Sequence, residues 1–95
     1  MDTETMAEAG TQSANLEITN DSDAMMSLEI EPITCQYLIP PKRVARIVTS
    51  LQNNQTNTEF SLLWGPDGIA VYPPDESTLW DATKVYCDGI LLKPQ

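Results

Sequence analysis

PPKRVARIVTSL, residues 40–51, decides how this chain is read. Val44, Ile47, Val48 and Leu51 recur at i, i+3, i+4 and i+7, the stripe of an amphipathic helix. Pro40-Pro41 stands in front, and proline suits the first turn of a helix, where its missing N–H costs nothing. Asn53 and Asn54 offer a stop. The spacing therefore predicts a helix over 42–52. With the aliphatic stripe buried, Lys42, Arg43 and Arg46 fall on the opposite face. Three of the five cations in the chain thus crowd into one short stretch. Cations at a helix N-terminus oppose the macrodipole, at a cost of about a few tenths of a kcal/mol each. Charges placed against local preference point to a polyanion partner, bound through weak, salt-sensitive phosphate contacts. The plainer alternative is a solvated polar face, which any amphipathic helix needs.

Outward from this stretch the pattern is β. ITCQYLI (33–39) is rich in β-branched and aromatic residues and predicts a strand ended by the double proline. EFSLLW (59–64) predicts another, with Phe60, Leu62 and Trp64 on one face. Gly65-Pro66-Asp67-Gly68 is a turn signal, and Ile69, Val71 and Tyr72 form the returning strand. Pro73-Pro74 then kinks or bulges that edge. TLWDATKVYC (78–87) is a further strand candidate, and a last one begins at Gly89. One helix on an antiparallel sheet gives an α+β class.

The charge is unevenly placed. The whole chain of 95 residues carries −9, yet residues 1–31 hold eight acids and no Lys or Arg. Residues 1–26 are polar and acidic, with few large aliphatics, and predict a disordered tail. Residues 27–95 form the expected folding unit.

Several chemistries are excluded. The chain has no histidine, so histidine triads and mixed zinc sites are ruled out. The glycine-rich phosphate-binding motifs are absent. Asp75, Glu76 and Asp81 are the candidate carboxylates for a magnesium-dependent nuclease. Adjacent strand residues point to opposite faces, so solvated turn carboxylates are the preferred reading and no metal or cofactor is expected. No apolar run is long enough to cross a membrane, and no partner membrane is expected. The N-terminal residues lack the features of a secretory signal, so Cys35 and Cys87 are expected as free thiols in a reducing compartment. Asn20-Asp21-Ser22 and Asn54-Gln55-Thr56 match the glycosylation pattern and are discounted on the same ground.

The order of pieces resembles a known family. CQYLI leads into KRVARIVTSLQ with its basic face, then EFSLLW, then Gly68-Ile69 and Val71. Asp75, Ser77 and Leu79 follow in an Asp-x-Ser-x-Leu pattern, and Gly89-Ile90 comes ten residues later. Residues 35–95 are similar in this to the first β-α-β-β-β unit of the sliding-clamp superfamily, the PCNA-like proteins. The acidic leader and the Gly-Ile-Leu near the end look most like the Rad-one type of subunit in the heterotrimeric checkpoint clamp. The resemblance implies a partial DNA-clamp unit whose helix lines the hole of a ring. Lys42, Arg43 and Arg46 would then slide along DNA phosphates. It also implies a nuclear, non-enzymatic role in DNA-damage checkpoint signalling and repair. Its partners would be sister clamp subunits, a clamp loader and duplex DNA. One unit where clamp subunits have several implies a fragment or a truncated isoform. The rival expectations are a free-standing acidic interaction or inhibitor protein, and a metal-dependent exonuclease.

Overall fold

The computed structural model describes residues 13–31, 34–51, 58–74 and 83–95. Among these residues eight strands follow one another: β1 (Ser13–Asn20), β2 (Met26–Ile30), β3 (Cys35–Ile39), β4 (Arg43–Ser50), β5 (Ser61–Trp64), β6 (Gly68–Tyr72), β7 (Thr83–Cys87) and β8 (Ile90–Leu91). They form two four-stranded sheets. The first is ordered β1-β4-β7-β8 and is antiparallel throughout. The second is ordered β3-β2-β6-β5, and there only the β2–β6 pair is parallel. Ile18, Ala45, Ile47 and Val85 of the first sheet join Leu28, Ile30, Tyr37, Ile39, Ile69 and Val71 of the second in one core. The molecule is a β-sandwich, its two inner faces meeting in that core.

The expected α+β unit with a packing helix is overturned. No helix occurs among the described residues, and the PPKRVARIVTSL stretch supplies β4, the strand between β1 and β7. Two periods overlap in its sequence. A helix would bury Val44, Ile47, Val48 and Leu51. The strand buries Ala45, Ile47, Thr49 and Leu51, and leaves Val44 38% exposed. Propensity separates the two readings. Val44, Ile47, Val48 and Thr49 are β-branched, half of the eight residues of β4. Such side chains are stiff at χ1 and pack well on a pleated surface. The cations no longer oppose a helix dipole, because there is no helix. Thr49 is buried, and its hydroxyl meets that of Thr83 on β7 at 2.7 Å.

The disordered tail expected over 1–26 is also corrected. Ser13–Asn20 is β1, paired with β4 along its whole length, from Ser13 opposite Ser50 to Asn20 opposite Arg43. Leu16 and Ile18 alternate with Asn15, Glu17 and Thr19, which is the period of a half-buried strand. Pairing with β4 lets so short an apolar face persist. Residues 1–12 lie outside the described range.

Three local devices hold the sandwich in register. Asn20 is buried, and its amide nitrogen donates to the carbonyls of Ala24 (2.8 Å), Ile39 (2.9 Å) and Pro40 (3.0 Å). Its side-chain oxygen accepts from the N–H and hydroxyl of Ser22. One side chain thus ties the β1–β2 loop to the corner where β3 passes into β4, and its amide is fully occupied. Gly68 is the second device. A Cβ there would lie 1.9 Å from the Ser27 carbonyl oxygen, so only glycine lets β6 approach β2. The third is Asp88-Gly89, with φ of 54° and 80°, which closes the β7–β8 hairpin. Positive φ at both central residues is what a tight hairpin of this type requires.

Candidate functional site

The three cations singled out from the sequence do not form one surface. Lys42 sits at φ 62° in the corner after Pro41. Its N–H donates to the Asn20 carbonyl at 2.7 Å and its ammonium to the Asp21 carbonyl at 2.8 Å. The carboxylates of Asp21 and Asp23 lie 3.6 and 3.7 Å from the same ammonium. Arg43 is paired with the Asp88 carboxylate. Arg46 alone points from the outer face of the first sheet, where the register sets Glu17 on one side of it and Tyr86 on the other. An open groove of about 680 Å³ runs over this face, past Asn15, Glu17, Val44, Arg46, Val48 and Tyr86. Its charges are of both signs, and Glu17 stands directly opposite Arg46 across the strand pair.

The second sheet is built differently. Lys42, Arg43, Arg46, Lys84 and Lys93 are all the cations in the chain, and none lies on β2, β3, β5 or β6. Those strands and their described connections carry Glu29, Glu31, Glu59 and Asp67 instead. The first sheet and its corners, by contrast, set Glu17, Asp21, Asp23 and Asp88 against Lys42, Arg43, Arg46 and Lys84. Glu29 and Asp67 therefore have no Lys or Arg on the strands beside them.

The β5 strand at the edge of that sheet exposes every residue, with Leu62 at 41%, Leu63 at 62% and Trp64 at 64%. Its apolar side chains are consecutive, so they occupy both faces of a sheet that has a core on only one side. Leu63 joins a cross-strand row of Gln36, Glu29 and Ala70 on the outer face. Gln36 is held there by a 2.8 Å hydrogen bond to the Ser27 hydroxyl. A groove of about 380 Å³ lies over this row, bounded by Glu29, Gln36, Leu63, Trp64 and Asp67. A second groove of about 480 Å³ passes the other side of Trp64, along Met25, Met26 and Pro66. The indole thus stands between two depressions with acidic rims.

Sequence reasoning set Phe60, Leu62 and Trp64 on one face of a strand and missed this surface. The signal was the unbroken Leu62-Leu63-Trp64 run, because a strand with one buried face alternates. Asp75, Glu76 and Asp81 lie outside the described residues. Among the described residues no group of three His, Cys, Asp or Glu side chains is placed to hold a metal, and no helix is long and apolar enough to cross a membrane.

Two groups facing the core have displaced proton affinities. Burial pushes the Tyr37 phenol above its ordinary value, helped by the neighbouring Cys35 thiol. Burial also raises the Cys87 thiol, Asp88 adds to the rise, and Arg43 opposes it. Both cysteines are free, Cys87 buried and Cys35 half-buried.

The fold and its surfaces define a small β-sandwich with an apolar, acid-rimmed edge. No known family model matches the chain, and no curated protein or solved structure matches it either.

Proposed function

We propose that this protein is a non-enzymatic interaction module. It recognises a partner polypeptide through the cation-free second sheet, and the partner segment is basic and aliphatic. The observation that carries this reading is the Leu62-Leu63-Trp64 edge, exposed beside Glu29 and Asp67 in a sheet whose strands hold no Lys or Arg. Exposed aromatic and aliphatic anchors supply affinity on burial, and like-signed rim charges steer a partner of opposite sign. A clamp subunit needs a helix to present Lys42, Arg43 and Arg46 to a duplex. With a strand in that place, and with Lys42 and Arg43 beside carboxylates, an acidic interaction protein is the better-supported reading.

The test is calorimetric titration of the full chain with a short peptide alternating Lys and Val, and with its Glu–Val counterpart. The Lys–Val peptide binds and the Glu–Val peptide does not. Changing Leu63→Ser and Trp64→Ser together weakens binding by about 2 kcal/mol or more, the loss expected of a hot spot. The fold stays stable to within about 0.5 kcal/mol, since both side chains are exposed. Equal affinity for the two peptides, or failure of both to bind, would overturn the reading.

A further inference from the structure

We infer that the cleft between β3 and β7 binds a small aliphatic carboxylate, which accepts from the Tyr37 hydroxyl while Lys84 and Lys93 flank its charge. This stands apart from the peptide reading, since β3 and β5 are opposite borders of the second sheet.

The cleft follows from how the two sheets are joined. After β8 the Leu92 N–H donates to the Val85 carbonyl at 2.9 Å, and the Gln95 N–H donates to the Gln36 carbonyl at 2.7 Å. Residues 92–95 therefore cross from the first sheet to the second, with Leu92 packed against the core. Beside this crossing lies a cavity of about 200 Å³, walled by Val85, Leu91 and Leu92 and by Tyr37 from β3.

An unmet hydrogen bond is the first sign of a ligand. Tyr37 is only 6% exposed, and its hydroxyl has no partner among the described residues. Burial and the neighbouring Cys35 thiol raise its proton affinity, and no hydrogen bond contributes. A buried hydroxyl left unpaired costs free energy, and native structures rarely keep one without a water, ion or ligand to complete it. Thr83, the other hydroxyl on the cavity wall, is already bonded to Thr49. Tyr37 is thus the group with a bond to give.

Charge supplies the sign of the occupant. The chain has three lysines and a net charge of −9, yet Lys84 and Lys93 both border this cavity. Among the described residues no Asp or Glu lines it, and neither lysine meets a carboxylate. The grooves beside Trp64 carry Glu29, Asp21 and Asp67, and the one over the first sheet carries Glu17 and Asp88. An acidic protein that keeps its acids out of one cavity makes that cavity the place for an anion.

Size and lining supply the rest. Pockets for drug-sized ligands run to about 300–1,000 Å³, so the occupant here is small. The aliphatic wall favours a hydrocarbon body over an inorganic ion. A carboxylate accepting from the phenol makes a charge-assisted bond, and ammonium groups nearby offset its desolvation. Long lysine stems let those groups flank the mouth while staying solvated.

The test is an NMR titration of the full chain with hexanoate, hexanol, hexylammonium and inorganic phosphate. Hexanoate shifts the Tyr37, Val85 and Leu92 amides saturably. Hexanol binds at least about tenfold more weakly, and the other two leave those amides unmoved. Tyr37→Phe keeps the ring and lowers hexanoate affinity at least about tenfold. It leaves the thermal midpoint of the free protein unchanged or higher, because the unpaired hydroxyl is gone. Lys84→Gln together with Lys93→Gln lowers affinity about threefold and removes its dependence on salt. Absence of a saturable shift with hexanoate, or equal affinity in Tyr37→Phe, would overturn the site. Hexanol or phosphate binding as tightly as hexanoate would overturn the aliphatic carboxylate. A lowered midpoint in Tyr37→Phe without hexanoate binding would assign the hydroxyl to a buried water only, and the proposal would fall.

Discussion

The two sheets share one core but handle charge in opposite ways. The first neutralises itself. Lys42 lies among Asp21 and Asp23, Arg43 meets Asp88, and Glu17 stands across from Arg46. The second carries Glu29 and Asp67 on a sheet with no cation on its strands, and exposes Leu63 and Trp64 beside them. A surface of balanced charge is a way to stay solvated. A surface of one sign around an apolar centre is a way to select a partner. Among the described residues the excess of acids therefore falls on the second sheet, where Leu63 and Trp64 are also exposed.

The sharpest way to break the contrast is Gly68→Ala. The new methyl would collide with the Ser27 carbonyl, parting β6 from β2 and with it the β5 edge. Chemical denaturation should show a loss of about 3 kcal/mol or more, the upper range for overpacking against backbone that cannot yield. Peptide binding should fall with it.

Alkaline titration separates the sheets more gently. Cys87 faces the core from the first sheet and Tyr37 from the second, and both have raised proton affinity. For an acid whose folded value is raised, the fold favours the neutral form. Stability is full below the unfolded value and is lost as pH rises through the folded one. The thermal midpoint should therefore begin to fall above pH 9.0, where the thiol ordinarily titrates, and fall further above pH 10.0, where the phenol does. In Cys87→Val the first decline should vanish and the second remain.

The smallest effect belongs to the charges that first drew attention. Lys42→Met and Arg43→Met each remove exposed ion pairs, and each should cost less than about 1 kcal/mol by thermal denaturation. A larger loss would mean that the first sheet depends on its balance of charge rather than tolerating it.

Much of the second sheet was legible in sequence. ITCQYLI, EFSLLW and the Gly65–Gly68 turn announce β3, β5 and the β5–β6 hairpin, because short β-branched or aromatic runs and turn chemistry act locally. In the first sheet β7 and β8 were legible as strands but β1 and β4 were not, and the reasons are specific. In β4 the helical and strand periods share Ile47 and Leu51, and tertiary pairing with β1 and β7 chose between them. The β-branched content and the unfavourable cations both point away from a helix, although the cations can equally be read as the mark of a polyanion ligand. Leu16 and Ile18 were submerged in an acidic composition. Asp88-Gly89 is a strong hairpin signal, but its glycine was read as the start of a strand. As for the candidate site, the Leu62-Leu63-Trp64 run was visible, but its exposure was not, since that depends on which strand ends up at the border of the sheet.

The parallel pairing of β2 with β6, Ser27 beside Gly68, sets an order of assembly. One flank of β2 must wait for a strand that leaves the ribosome much later. Until then a nascent chain holds only the β2–β3 hairpin on that side, with Leu28 and Ile30 uncovered. Closing so distant a contact is slow. The interval before β6 arrives leaves this flank open to mispairing, and a chaperone that shields β-branched segments would act there.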